Sequence, residues 1–430
     1  MIRVFDTSKD KRETILYRDT AASAGVDAAV EEILEQVRRE GDKALFALEE
    51  KFDKARLTGL EVAPEEIDEA WGTVGEEFLA TLQTCGENIR AFHSKQIRQG
   101  FVTEEADGVL LGQRITPIER VGVYVPGGRA SYPSTVLMNV IPAKLAGVTE
   151  ICMATPPGPD GKISAPILAA ARVAGVDRIF KMGGAQAVAA FAYGTETVPA
   201  VDKIVGPGNI YVATAKARVF GRVSIDMVAG PSEILIISDG KSNPAFVAAD
   251  LLSQAEHDPM SMSVLLTDSA PFAQAVSAEL ERQIPLLPKA EICRMAIDRN
   301  GKIVVTRSLR EAVDLSNDIA PEHLELCVED PFGLLGRVKN AGSIFLGRYA
   351  PEALGDYYAG PNHTLPTSGT ARFSSPLSVD DFIKKSSFVY YTEERLRKAM
   401  PDIVRFGEAE GLAAHAKSVA IRFEQEEGER

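Results

Sequence analysis

From Val121 the chain falls into a regular alternation, in which short unbroken apolar runs end in Gly/Pro-rich turns and are followed by alanine-rich helical stretches. A strand that is apolar throughout is buried on both faces. Repeated strand–helix alternation lays such strands side by side in parallel, with helices covering both faces. Val121–Val125, Glu150–Ala154, Arg178–Met182 and Asp202–Val205 read as one set of strands, with helices over Ser134–Ala146, Ala165–Ala174, Ala185–Tyr193 and Asn209–Phe220. A second set has strands Glu233–Ser238, Met262–Thr267, Lys302–Thr306 and Gly342–Leu346, with helices over Pro244–His257 and Pro271–Gln283 and from Leu309. The expected class is α/β, with two doubly wound, Rossmann-like parallel-sheet domains, one inserted in the other.

The helical periodicity of Ala28–Phe52 and Pro64–His93 predicts packing helices ahead of the first strand set. The expected partition is an N-terminal extension over 1–19, a discontinuous α/β domain over 20–120 plus 233–376, an inserted α/β domain over 121–232, and a C-terminal helical extension over 377–430. In this partition the helices before Val121 pack with the second strand set. The stretch from Arg348 to Pro376 is rich in Gly, Pro, Ser and Thr and reads as a long loop, a place where function often resides. The tail from Glu393 to Glu427 reads as helical, packing on its own chain or on a partner subunit.

Composition removes several classes of function. The formal net charge of −14 argues against a nucleic-acid partner. No stretch approaches the roughly 18 to 20 uninterrupted apolar residues of a membrane span. Cys85, Cys152, Cys293 and Cys327 are scattered, with no Cys-x-x-Cys pair, and no apolar signal segment precedes the charged start Met1 to Lys11. The expected compartment is the reducing cytoplasm.

The chain has only five histidines, so each position is informative. His93 lies in a charged helical segment and reads as a surface residue. His257 ends Asp250-Leu-Leu-Ser-Gln-Ala-Glu-His-Asp258, where Gln254 and His257 share one helix face; this is either a ligand pair or a polar helix terminus. Pro321-Glu322-His323 sets a carboxylate beside an imidazole after a proline. It suits proton transfer at neutral pH, or simply a solvated helix start. Asp356 and His363 sit in Gly355-Asp-Tyr-Tyr-Ala-Gly-Pro-Asn-His363, either solvated or converging on a zinc-type site. Glu410 and His415 stand five apart, about 140° around an unbroken helix, so one small ligand meets both only if the helix starts or bends near Gly411.

Two glycine loops, Gly183-Gly184-Ala-Gln186 and Gly206-Pro-Gly-Asn209, each follow a strand and open a helix, where backbone N–H groups can receive a pyrophosphate. Neither is Gly-x-Gly-x-x-Gly, and no ribose-binding acid stands at the usual offset.

Taken together, Gly122-Val-Tyr-Val-Pro-Gly-Gly128, Gly183-Gly-Ala-Gln186, Gly206-Pro-Gly-Asn209, Ala229-Gly-Pro-Ser-Glu233, Leu252-Ser-Gln-Ala-Glu-His257, Ala320-Pro-Glu-His323 and Gly360-Pro-Asn-His-Thr-Leu-Pro-Thr367 closely resemble the histidinol dehydrogenase family, over nearly the whole chain. That resemblance implies oxidation of L-histidinol to L-histidine, through the aldehyde, with two NAD+ and one Zn2+ per active site, in the last stage of histidine biosynthesis. It implies Gln254, His257, Asp356 and His415 as metal ligands, His415 coming from the other subunit of a homodimer joined through the terminal extensions. Glu322 and His323 are then the acid–base pair. Ser232, His363 and Glu410 meet the substrate, together with His323 and the metal ligands, and Tyr124, Gln186 and Asn209 meet NAD.

Other readings of the same residues are a zinc- and NAD-dependent dehydrogenase of another chelatable alcohol, such as a sulfonated diol, a zinc hydrolase using Glu322, and a non-catalytic metal-binding protein. Glu410 and His363 suit a cationic amine and an imidazole, which favours histidinol.

Overall fold

A computed structural model describes residues 2–18, 25–106, 108–127 and 131–424. Gly128 of the first motif, Thr20 at the expected start of a domain and the tail beyond Glu424 lie outside the described residues. In chain order the strands are β1 (Arg3–Asp6), β2 (Phe101–Ala106), β3 (Val109–Pro117), β4 (Arg120–Tyr124), β5 (Glu150–Thr155), β6 (Arg178–Lys181), β7 (Lys203–Val205) and β8 (Ser224–Ile225). They continue with β9 (Glu233–Ser238), β10 (Met262–Thr267), β11 (Lys302–Val305), β12 (His323–Cys327), β13 (Ser343–Leu346) and β14 (Ile383–Tyr391).

Two sheets are parallel throughout, as the strand–helix alternation requires. The first has the order β6-β5-β4-β7-β8 and the second β1-β11-β10-β9-β12-β13. Every residue of β9 and β10 is buried, which fits their mostly apolar sequences. Helix starts follow local chemistry. Pro133 and Pro244 occupy first helical positions, where a missing N–H costs nothing, and the Asn209 and Asn243 side chains cap their helices.

The helices before Val121 correct an expectation. They pack on the five-stranded sheet, not the six-stranded one. Val30, Leu34, Leu45 and Leu48 share a core with Phe180 and the helix Gly184–Tyr193. On the other face Leu82 and Ile89 share a core with Val121, Val123, Ile151 and Met153. A sheet buried on both faces needs apolar cover on each, and these helices supply surface that Ala165–Ala174 and Ile210–Val219 leave uncovered. The N-terminal segment is corrected too, since Arg3–Asp6 is an edge strand pairing with β11.

The chain divides into two compact units, Met1–Ile97 with Ile118–Phe382, and Arg98–Pro117 with Ile383–Arg430. The second unit is not wholly helical as expected of the C-terminal extension. It contains the antiparallel sheet β14-β3-β2 and the helices Glu393–Ala409 and Ala413–Ala420. Glu410 caps the first of these helices, Gly411 follows with φ +72°, and the second starts after Leu412, so the helix is interrupted between Glu410 and His415.

Candidate active site

Within the first unit the functional candidates gather at two sheet edges. At the amino edge of the six-stranded sheet, the helix Leu309–Ile319 ends at Ala320, whose φ of +50° is a left-handed conformation rare for alanine. The turn delivers Glu322 and His323 to the start of β12, between β9 and β13. The pair thus opens a strand and not a helix, and it is buried, not solvated.

His323 Nδ1 lies 3.0 Å from the Glu233 carbonyl oxygen. A carbonyl only accepts, so Nδ1 carries the hydrogen. Nε2 is buried without a hydrogen-bond partner, 3.8 Å from Asp356 Oδ1. Glu322 Oε2 accepts from the Glu233 N–H at 2.8 Å and stands 3.7 Å from His323 Nδ1. Burial pushes the Glu322 carboxyl up to about 8, despite the neighbouring imidazole. For His323, burial disfavours the cation, but Glu352, Glu322 and Asp356 outweigh it and raise the imidazole well above its ordinary value.

Asp356 is not in a loop. It lies on a short helix, Glu352–Tyr357, together with a residue the sequence reading missed. Glu352 is buried, its Oε1 is 3.8 Å from His323 Nδ1, and its Oε2 accepts from Ser253 Oγ at 3.0 Å. The usable signal was the Glu-x-x-x-Asp spacing after Pro351, which puts two carboxylates on one helix face. Single ligand atoms of His257, Glu352 and Asp356 all lie within 4.8 Å of one another. Gln254, on the last turn of the helix ahead of His257, is buried with Oε1 unpartnered. Two carboxylates, an imidazole and the buried, unpartnered Oε1 of Gln254 form a set that suits a divalent cation such as zinc.

A cavity of about 250 Å³ lies against these groups, lined by His323, Phe345, Asp356, Asn362 and His363 among others. His363 is held by the Asp356 carbonyl at Nδ1 (3.1 Å) and by Thr135 Oγ1 at Nε2 (3.3 Å). Ser232, half-buried, immediately precedes β9. His93 is a correction. It is fully buried, with Nδ1 2.7 Å from Gln96 Oε1 and Nε2 3.5 Å from the Asn362 amide, directly behind His363. Burial lowers its pKa. Glu410 and His415 belong to the second unit, and both are exposed there.

The second edge is the carboxyl end of the five-stranded sheet. Both glycine loops are where the sequence puts them, after β6 and β7. Gly206 has φ +110°, and a Cβ there would lie 2.0 Å from the Tyr124 carbonyl oxygen, so only glycine fits. The start of the following helix is exposed at Asn209 and Ile210. Asn209 Oδ1 accepts from the Tyr211 and Val212 N–H groups. The first loop differs from expectation, because its amides are already engaged. Gly183 N–H donates to Glu49 Oε1 (3.1 Å) and Gly184 N–H to Tyr124 Oη (3.1 Å). The exposed helix opening at Asn209, with Tyr124 behind it, keeps this edge suited to a dinucleotide.

A doubly wound α/β chain with a glycine-loop edge and a separate buried imidazole–carboxylate cluster beside a cavity is organised as a dehydrogenase. Comparison with known proteins narrows the class. The histidinol dehydrogenase family model matches residues 16–423. Histidinol dehydrogenases of Syntrophotalea carbinolica and Listeria monocytogenes serovar 1/2a are 56% and 53% identical over 411 and 408 residues, each alignment covering 95% of both chains. The crystal structure of histidinol dehydrogenase from Elizabethkingia anophelis superposes with a TM-score of 0.93 at 40% identity, covering 99% of this chain and 98% of that one. The chain belongs to the histidinol dehydrogenase family and is an NAD-dependent oxidoreductase.

Proposed function

We propose that this enzyme oxidises L-histidinol to L-histidine through the aldehyde, transferring two hydrides to two NAD+ in the last step of histidine biosynthesis, in the cytoplasm. The observation that carries the reading is the buried imidazole of His323, with Nδ1 engaged and Nε2 free, at a cavity between carboxylates. Gln254, His257 and Asp356 would hold zinc, with His415 completing the set from the partner of a homodimer. The metal would anchor the imidazole and amine of the substrate, and NAD+ would accept hydride at Tyr124, Gln186 and Asn209.

In its neutral form, which a divalent cation held by His257, Glu352 and Asp356 would favour by offsetting the carboxylates that raise the imidazole, His323 takes the alcohol proton at Nε2. Its Nδ1 hydrogen stays donated to the Glu233 carbonyl and keeps the ring aligned. Glu322, in the ionised form that burial makes a stronger base, takes a proton from the water that adds to the aldehyde. The hydrate anion so formed gives its hydride to the second NAD+ and becomes the carboxylic acid, which releases its remaining proton to solvent and leaves as carboxylate. Ser232, His363 and Glu410 contact the substrate. The Thr135 and Asp356 contacts fix the His363 ring at the cavity wall.

Exposed apolar side chains in the second unit, including Val389, Tyr390, Phe406 and Leu412, support a subunit-exchanging dimer. No helix of the described residues is long and apolar enough to cross a membrane, and the four cysteines are free and buried, which suits a reducing compartment. The test is NADH formation from histidinol, with and without a chelator. Two NADH per histidinol, abolished by the chelator and restored by Zn2+, is expected. Cleavage of an ester or amide with no NADH formed would favour a hydrolase instead.

A further inference from the structure

The two glycine loops at the carboxyl edge of the five-stranded sheet are held from behind by different chemistry. Behind Gly206, Lys216 Nζ donates to the Gly206 carbonyl (3.0 Å) and pairs with buried Asp226, whose Oδ2 accepts from the Gly206 N–H (2.8 Å). That arrangement is a charge-neutral brace. Behind Gly183 stands Glu49, on the helix Asp42–Phe52, with no cation among its contacts. It is fully buried, and one oxygen, Oε1, accepts from both the Gly183 N–H (3.1 Å) and the Gln186 Nε2 (2.9 Å). Its other oxygen, Oε2, is buried and accepts no hydrogen bond from any N–H or hydroxyl among the described residues. Asp53 is the neighbouring acid with which Glu49 shares a proton, an interaction that raises Glu49 and lowers Asp53.

Glu49 decides which way the Gln186 amide points. A carboxyl oxygen only accepts from an amide, so the Gln186 NH2 turns inward. Its Oε1 is left over the Gly184 backbone, close to where a Cβ at Gly184 would stand. We propose that Glu49, as a neutral carboxylic acid, is a positioning residue for the nucleotide, fixing the Gly183–Gly184 turn and the Gln186 amide against which NAD is held. The neutral form follows from the site. A carboxylate here would have one oxygen unsolvated and without an N–H or hydroxyl donor beside Asp53, and burial pushes Glu49 up to about 8. The titratable groups facing it are Asp53, itself raised by burial, and Tyr124, whose hydroxyl accepts the Gly184 N–H. Ionised, Glu49 would place a buried negative charge behind the site of an anionic pyrophosphate.

The proposal rests on the reading that NAD lies at this edge, so its test separates the two. The metal-loaded enzyme, without histidinol, is titrated with NADH by fluorescence, and KM is measured for NAD+ and for histidinol. Glu49→Met, similar in size and apolar, is expected to weaken NADH binding and raise KM for NAD+ about tenfold. KM for histidinol and bound metal should stay within about twofold. Glu49→Gln, whose amide oxygen can accept both bonds, should bring NADH affinity back close to wild type. Equal losses in Glu49→Met and Glu49→Gln, equal rises in both KM values, or wild-type affinity in Glu49→Met would each overturn the proposal. Gln186→Ala serves as reference: no effect on NADH binding there overturns the underlying reading as well, whereas a loss there with none in Glu49→Met overturns only the role of Glu49. If Glu49→Met does not fold, the pH profile decides. Wild-type NADH affinity should fall as Glu49 loses its proton on the alkaline side while that of Glu49→Gln stays flat, and parallel profiles would overturn the proposal.

Discussion

The two parallel sheets carry their candidate sites at opposite edges. The five-stranded sheet offers its carboxyl edge, where β6 and β7 run into glycine loops and the helices Gly184–Tyr193 and Ile210–Val219 begin. The six-stranded sheet offers its amino edge, where β9, β12 and β13 start and the helices Pro244–Ala255 and Leu309–Ile319 end. Helices run antiparallel to the strands they cover, so helix N-termini with their partial positive charge gather at one edge and negative C-termini at the other. The first edge suits a dinucleotide's phosphates, the second a metal cation. One architecture thereby offers two electrostatically opposite candidate sites.

The largest expected effect breaks the second edge alone. His323→Gln removes the free imidazole nitrogen and should lower kcat for histidinol oxidation by roughly 10²- to 10⁴-fold, the usual scale of general acid–base catalysis. NADH affinity of the variant should stay as in wild type. If kcat survives, the proton-transfer role of His323 is wrong; if NADH binding falls with it, the two edges are not separable.

A smaller effect is expected at Glu352, which the metal cluster includes but the family motifs quoted above do not. Glu352→Gln removes a buried carboxylate beside His257 and Asp356 and should weaken zinc binding about 10- to 100-fold in competition with a chromophoric chelator. Unchanged zinc affinity would mean that Glu352 acts only on His323.

These contrasts mark what the sequence could show. The strand–helix alternation made four strands of each parallel sheet legible, because an apolar run such as Ile234–Ile237 has few alternatives, but it missed the short β8, the edge strand β1 and β12, which carries Glu325 within it. The antiparallel sheet β14-β3-β2 was not legible. Val109 pairs with Tyr391, far along the chain, and β2 is exposed along almost its whole length, so neither periodicity nor spacing marks it. Local pattern also misjudged burial. His93 sits among charges in sequence yet points inward, where Gln96 and Asn362 satisfy both ring nitrogens. Glu322-His323 looked like a helix start because Pro321 favours one, whereas Ala320 in a left-handed conformation ends a helix there and opens a strand. The glycine loops were found correctly, but that Glu49 occupies the Gly183 amide depends on a contact across 134 positions that no motif encodes.

The smallest expected effect sharpens the comparison from the first edge, and concerns stability. Glu49 has its folded pKa raised from an ordinary 4.5 to about 8 by burial. Below the ordinary value both folded and unfolded chains carry the proton, and Glu49 contributes no pH dependence. Between about 4.5 and 8 the folded chain keeps a proton that the unfolded chain has released, so stability falls as pH rises, with a slope of at most about 1.4 kcal/mol per unit. Above that window the penalty is constant. Glu49→Gln cannot ionise, so its stability relative to wild type should improve across this window, measured as the difference in urea midpoint between acidic and mildly alkaline buffer. A difference that does not change with pH would mean that Glu49 is already ionised in the folded chain. The Gln186 amide would then be held by a charge, and the two loops of this edge would differ in net charge, one braced by the neutral Lys216–Asp226 pair and the other by an unpaired anion.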